Sequence, residues 1–239
     1  MPRFKRSKKS RHTHRRSKTQ KKLKPRNSHT LRHPHSSTTS QSVAKRMQQP
    51  IGRGLTGSVQ KINSMVVQKH TSTNTARIEE HAASILKEVD PDQEYTIYGT
   101  QFIPNTDGKV KIQLKYGGVS LNRFDDLLWS YTRAVKSENK QRQDEIRVDL
   151  QKWIAYIPQI KEGFERLYEF LPRIHSYGIT HSDMGPGNLV WDGTRLRLID
   201  WGNATFKNDP DFSREMMADM EGLMNIKYEL FSHPILQTL

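Results

Sequence analysis

The sequence predicts an α+β fold of two unequal lobes: a β-rich first lobe with one main helix, then a short, mostly helical second lobe. Three observations predict it. Between residues 51 and 116 the apolar residues fall in short β-prone runs separated by turn residues, with one stretch of helical period among them. Gly117-Gly118 then interrupts the chain. Beyond it the apolar spacing is helical, except for Leu189 to Ile199, which reads as two short strands around an Asp-Gly turn. The boundaries that follow are a tail over residues 1–50, a first lobe over 51–116 and a second over 117–239.

The tail carries the charge. Residues 1–50 hold 16 Lys or Arg and no Asp or Glu, whereas residues 51–239 hold 23 basic and 25 acidic residues, so the net +14 belongs to the tail. With few apolar side chains the tail buries too little surface to offset its ordering entropy and is expected to be disordered. Its clusters Lys5-Arg6-Ser7-Lys8-Lys9, Arg15-Arg16 and Lys21-Lys22 suit nucleic acid or another polyanion, or a nuclear address. A solvated tail without a specific partner has the same composition. The chain has no cysteine, which excludes disulfides and thiolate metal sites. No 7–15-residue apolar run follows the basic N-terminus, and no window approaches the roughly 20 apolar residues that cross a bilayer. A soluble intracellular protein with no membrane partner is expected, and the tail suits a nuclear or virus-associated setting.

The elements follow in order. Val59 to Ile62 and Met65 to Lys69 form a hairpin around Asn63-Ser64. Thr75 to Val89 is a helix with Ile78, Ala82, Ile85 and Val89 on one face, capped by Thr75 and ended by Asp90-Pro91. Tyr95 to Ile103 and Lys109 to Tyr116 are strands joined through Asn105-Thr106-Asp107-Gly108. Leu121 to Val135 is a helix, and the charged stretch Lys136 to Arg147 an exposed connection or helix extension. Ile160, Phe164, Leu167, Leu171 and Ile174 recur at helical spacing, with Pro172 expected to kink or weaken the last turn and Gly178 to cap the end. A last helix runs from Asp211 to Leu230.

The chemistry is carried by His181-Ser182-Asp183-Met184-Gly185-Pro186-Gly187-Asn188 and Ile199-Asp200-Trp201-Gly202. A hairpin of the intervening length can return Asp200 to the side of Asp183 and Asn188. Three oxygen-bearing side chains there suit magnesium and a hydroxyl group, the equipment of phosphoryl transfer. Upstream, Gly52-Arg53-Gly54-Leu55-Thr56-Gly57-Ser58-Val59 has glycines at the spacing that lets backbone N–H groups approach a polyphosphate. It leads into a strand rather than opening a helix, which argues against a dinucleotide-binding turn. Lys69 ends an apolar strand ten residues past Val59, and Glu79 or Glu80 on the next helix is placed to pair with it.

In this order of parts the chain resembles the protein-kinase-like family, from about Ile51 to at least Gly202. Gly52 to Val59 is similar to its glycine-rich loop, Val66 to Lys69 to the strand bearing its phosphate-binding lysine, Tyr116-Gly117-Gly118 to its hinge, His181 to Asn188 to its catalytic loop and Asp200-Trp201-Gly202 to its metal-binding Asp-Phe-Gly. The resemblance implies that Gly52, Gly54, Gly57 and Lys69 hold the phosphates of ATP, and that Glu79 or Glu80 steadies Lys69. It implies that Val59, Val67 and Val190 form apolar surfaces around the adenine, while the Lys115–Gly117 backbone around Tyr116 hydrogen-bonds its edge. Asn188 and Asp200 would hold Mg2+, and Asp183 would orient the acceptor hydroxyl. His181 would brace the loop, and Asp219 on the last helix either braces it too or is an exposed helix residue.

Two substitutions depart from the pattern. Ser182 stands where the family carries an arginine that answers a phosphorylated activation loop, and Gly185 where Ser/Thr kinases carry a lysine. With 37 residues after Gly202, a full set of C-terminal helices does not fit, so the resemblance is to compact, atypical kinases. The leading expectation is an atypical protein kinase that phosphorylates a Ser/Thr hydroxyl of a protein substrate. The alternatives are a small-molecule phosphotransferase of the same fold, and a nucleotide-binding scaffold whose tail binds nucleic acid.

Overall fold

The computed structural model describes residues 50–54 and 57–239, with side chains from Ser58 onward. The expectations for the tail up to residue 49 and for Leu55-Thr56 within the glycine-rich segment lie outside the described residues. The fold is α+β, a β-rich region of antiparallel strands followed by helices, an order compatible with two lobes.

Five strands, β1 (Pro50–Gly54), β2 (Gly57–Lys61), β3 (Val66–Ser72), β4 (Gln101–Pro104) and β5 (Lys109–Lys115), form one antiparallel sheet in the order β1-β2-β3-β5-β4. The β2–β3 turn is closed by Asn63, whose Oδ1 accepts from Met65 N and Val66 N at 2.8 and 2.9 Å. Because side chains alternate along a strand, β3 turns Val67, Lys69 and Thr71 to its buried face. A lysine therefore sits among apolar neighbours, which prepares the site described below.

Helix α1 (Thr73–Val89) follows β3 without a loop. Its cap is Ser72, not Thr75. Ser72 leaves the strand in extended conformation and its Oγ accepts from Thr75 N at 3.2 Å, so the helix starts two residues earlier than the sequence suggested. At the other end Asp90 takes the N–H groups of Glu94, Tyr95 and Thr96 on its carboxylate at 2.8–2.9 Å. That capture corrects the strand expected over Tyr95 to Ile103. Only Gln101–Pro104 joins the sheet. Tyr95 to Ile97 instead lies along β9 (Leu196–Leu198), with Ile97 N donating to Leu198 O and Leu198 N to Tyr95 O at 2.8 and 2.9 Å.

After Gly118 the chain gives β6 (Val119–Ser120), α2 (Asn122–Lys136), α3 (Lys140–Ile154) and α4 (Ile157–Ser176). Next come β7 (Ile179–Thr180), β8 (Leu189–Trp191), β9, β10 (Thr205–Phe206) and α5 (Phe212–Phe231). The charged stretch after Lys136 begins a separate helix, α3, because Asn139 caps it through Arg142 N at 3.0 Å. Helix α4 continues through Pro172 to Ser176. Pro172 and Tyr168, whose carbonyl it leaves without an N–H, are both exposed, so that carbonyl has access to water. Gly178, at φ +83°, closes the helix as expected.

Apolar faces of α2, α4 and α5 meet around Phe124, Phe164, Leu167 and Leu223, all fully buried. Truncating a side chain such as Phe164 to alanine costs about 3–5 kcal/mol. A second cluster joins the sheet to β8 through Val67, Ile97, Ile112 and Val190. Among the described residues no helix is long and apolar enough to cross a membrane.

Candidate active site

Lys69 is 5% exposed, and its Nζ lies 2.5 Å from Glu79 Oε1 and 2.5 Å from Asp200 Oδ1. The helix phase decides which glutamate pairs. Glu79 shares the buried face of α1 with Ala76, Ala83 and Leu86, at spacings of three, four and seven residues. Glu80 is turned about 100° away, is exposed, and has no contact with Lys69; its expected role is corrected. Burial favours a neutral Lys69, yet the two carboxylates outweigh it and hold the ammonium charged, raising its pKa above the usual lysine value. Burial pushes the Glu79 carboxyl upward, opposed by Lys69. Gly202 permits this approach: a Cβ there would stand 2.6 Å from Thr75 Cγ2, 3.1 Å from Glu79 Oε1 and 3.3 Å from Asp200 Oδ1.

The turn from β7 to β8 carries Asp183 and Asn188. Asn188 Nδ2 donates to the Asp183 carbonyl at 2.8 Å and to its Oδ2 at 3.2 Å. Ile199 N donates to Asn188 O at 3.0 Å, so the β8–β9 hairpin delivers Asp200 one residue past the partner of Asn188. The hairpin turn is fixed by Asp192, which accepts from Thr194 N, Thr194 Oγ1, Arg195 N and Arg197 Nη1 at 2.6–2.8 Å. Partial burial alone would raise the Asp192 carboxyl, but these donors overcome it and pull it down to about 2.

The loop is held from beneath. His181 is fully buried, its Nε2 faces Ile199 O at 2.8 Å, and its ring packs edge-on against Trp201 at 4.8 Å. A ring nitrogen committed to a carbonyl is a brace, as expected. Asp219 on α5 is 1% exposed and accepts from His181 N at 2.7 Å and Ser182 N at 2.9 Å, with His175 Nε2 at 3.2 Å. Of the two expectations for Asp219, bracing is the one observed. Ser182, at φ +59°, shares a hydroxyl chain with Thr180 Oγ1 (2.8 Å) and Thr205 Oγ1 (2.9 Å), which ties the loop to β10.

Val59, Val67, Val190 and Tyr116 meet in one apolar cluster with Ile199. Gly117 lies against it so closely that a Cβ would stand 2.2 Å from Ile97 Cδ1 and 2.7 Å from Val190 Cγ2. The Tyr116 N–H is already given to Met65 O at 2.7 Å, and Lys61 Nζ stands 3.9 Å above its ring. Within Lys115–Gly117, the Tyr116 N–H is therefore not free for a ligand. Gly52 and Gly54 lie in β1 and Gly57 opens β2, paired across from Gly54. Two cavities of about 440 and 690 Å³, one beside Tyr116 and Trp191 and the other beside Trp129 and Pro186, are lined by none of Lys69, Asp183 and Asp200.

No family model matches the chain. Over 52 residues it is 46% identical to casein kinase II subunit alpha' of Saccharomyces cerevisiae, a match that covers 21% of this chain and 15% of that protein. The likeness is partial: the chain spans only a small share of that relative's length.

The sequence left two participants unseen. Asn203 donates from Nδ2 to Asp183 Oδ2 at 3.1 Å, and Ile199 joins the apolar wall. Both follow from the chain reversal after β9, and the motif adjoining Asp200 is the signal that pointed nearest to them. The donor set suits a hard divalent cation only in part. Among the described residues no three His, Cys, Asp or Glu side chains converge on a metal-sized site. Asp200 keeps Oδ2, and Asn188 its amide oxygen, without a described hydrogen-bond partner. These two uncommitted oxygens are of the type magnesium takes, with one or two protein ligands and the rest of its shell from phosphate and water.

Proposed function

We propose that the chain is an ATP-dependent phosphotransferase, and that it acts as an atypical protein kinase on a Ser/Thr hydroxyl. The observation that carries this reading is the Lys69 ammonium bridging Glu79 and Asp200, one hairpin away from the Asp183–Asn188 pair. The partial likeness to a kinase subunit supports it. In this reading Lys69 neutralises the non-transferring phosphates, Glu79 fixes Lys69, and Gly52, Gly54 and Gly57 present backbone N–H groups to the polyphosphate. Val59, Val67, Val190 and Ile199 enclose the adenine against the Tyr116 segment. Mg2+, when bound through Asp200 and the Asn188 amide oxygen, supplies positive charge to the phosphates. Asp183 accepts the acceptor hydroxyl proton as that oxygen bonds to the γ-phosphorus. The bond from phosphorus to the bridging oxygen breaks, and the electron pair leaves with ADP.

A small hydroxylated acceptor is the second reading, favoured by Gly185: a Cβ there would meet nothing within 4 Å, so the acceptor side beside Asp183 is open and carries no lysine. The test is transfer from γ-labelled ATP with Mg2+, offering casein and histone in one arm and a panel of small alcohols and amino alcohols in the other. Labelled protein that disappears with Asp183→Ala supports the kinase reading. Label on small molecules alone supports the second, and no transfer to either contradicts both.

A further inference from the structure

The Asp183 carboxylate is exposed, so burial does not fix its orientation. What fixes it is a pair of amides. Asn188 Nδ2 and Asn203 Nδ2 both donate to the same oxygen, Oδ2, at 3.2 and 3.1 Å. Oδ1 receives no hydrogen bond from any described residue and is left for a ligand. The two amides come from different segments of the chain. Asn188 belongs to the turn that carries Asp183, and its spacing from Asp183 is local. Asn203 belongs to the short 3-10 turn Trp201–Asn203, which directly follows Asp200. That turn is rigidly placed: Trp201 is buried against His181, Gly202 is wedged against Thr75 and Glu79, and Ala204 N closes it onto Trp201 O at 3.2 Å. Asn203 itself is exposed and packs no core, so its side chain has no evident task besides this bond. Nor does a cation stand nearby on the loop, since residue 185 is a glycine with open space where a side chain would begin.

We infer that Asn203 is a positioning residue for Asp183, locking Oδ2 so that Oδ1 faces the acceptor hydroxyl, and making the geometry of Asp183 depend on the turn that carries Asp200. This rests on the proposed phosphotransfer. A neutral amide steadies the carboxylate without placing a charge beside the incoming acceptor, which leaves that side open to an acceptor with its own cation.

The test compares wild type, Asn203→Leu and Asn203→Asp for transfer from Mg-ATP to casein and histone, with ATP binding by calorimetry and thermal melting measured on each. Leucine keeps the approximate volume and removes the donor. Losing a hydrogen bond to a charged group, discounted for exposure, predicts about a ten-fold fall in kcat. ATP affinity, KM for ATP and Tm stay close to wild type, because Asn203 touches neither the Lys69 pair nor the core. Asn203→Asp falls further, since a second carboxylate replaces the donor facing Oδ2. A wild-type kcat in Asn203→Leu overturns the inference and leaves the phosphotransfer reading standing. A kcat loss matched by an equal loss of ATP affinity or by a lowered Tm overturns it in favour of a structural role. A wild-type protein that transfers no phosphate to any acceptor overturns the underlying reading and this inference with it.

Discussion

Replacing Asp219 by alanine is expected to loosen the loop that carries Asp183, and its size can be worked from the hydrogen bonds. The carboxylate satisfies His181 N at 2.7 Å, Ser182 N at 2.9 Å and His175 Nε2 at 3.2 Å from a position 1% exposed. Alanine leaves two backbone donors behind. A buried donor without a partner costs about 1–3 kcal/mol, with Ser182 toward the low end because it is only half-buried. The variant is relieved of keeping a carboxylate out of water, so a net loss of about 3 kcal/mol is expected. For a folded chain of this size each kcal/mol moves Tm by about 2–4 °C, which gives a fall of roughly 6–12 °C. Calorimetric melting of wild type, Asp219→Ala and Asp219→Asn measures it. Asparagine keeps one acceptor and should fall between the other two. A Tm for Asp219→Ala within about 2 °C of wild type would refute the claim that this carboxylate holds the loop.

Gly202→Ala places a methyl 2.6 Å from the stiff Thr75 side chain, so α1 must retreat. Overpacking of this kind costs about 1–3 kcal/mol, and ATP affinity should fall with it as Glu79 leaves Lys69, read by calorimetric titration. Lys69→Met leaves Glu79 buried without its cation and should destabilise the protein by about 3–5 kcal/mol in urea unfolding, and adding Glu79→Leu should recover most of that loss. For Asp192 the folded pKa of about 2 lies below its ordinary value, so its stabilisation is present above about pH 4 and is lost as pH falls through 2. Asp192→Asn should therefore be less stable than wild type at neutral pH, with the gap closing between about pH 4 and 2 in melting curves taken across that range.

Much of the site was legible because it is local. The Asp-Gly hairpin, the Asp183–Asn188 spacing and the strand bearing Lys69 depend on neighbours in sequence, and the structure reproduces all three. The choice between Glu79 and Glu80 was open in the sequence, because an amphipathic pattern of Ile78, Ala82 and Ile85 admits a broad apolar stripe. The packed sheet selects the face that also holds Ala76 and Ala83. Tyr95 to Gly99 looked like a strand by composition. Its fate was set by the Asp90 carboxylate and by Leu198, the latter about a hundred residues away and invisible to local propensity. Asn203 was missed for a similar reason: its role exists only after β9 returns and the next turn brings it to Asp183. Tyr116 was read as part of a hinge with a free backbone edge, and the loss of its N–H to Met65 depends on how β3 pairs with the end of β5.

The central claim is that Lys69, Asp183, Asn188 and Asp200 act together on a phosphoryl group. Single-turnover transfer tests it most directly: protein in excess over γ-labelled ATP, with Mg2+ or with EDTA, for wild type, Asp183→Ala and Asp200→Asn. Label is expected to leave ATP for an acceptor hydroxyl in wild type with Mg2+, and to do so at least about a hundred-fold more slowly with EDTA or in either variant. Transfer that proceeds at the wild-type rate in Asp183→Ala and Asp200→Asn would contradict it.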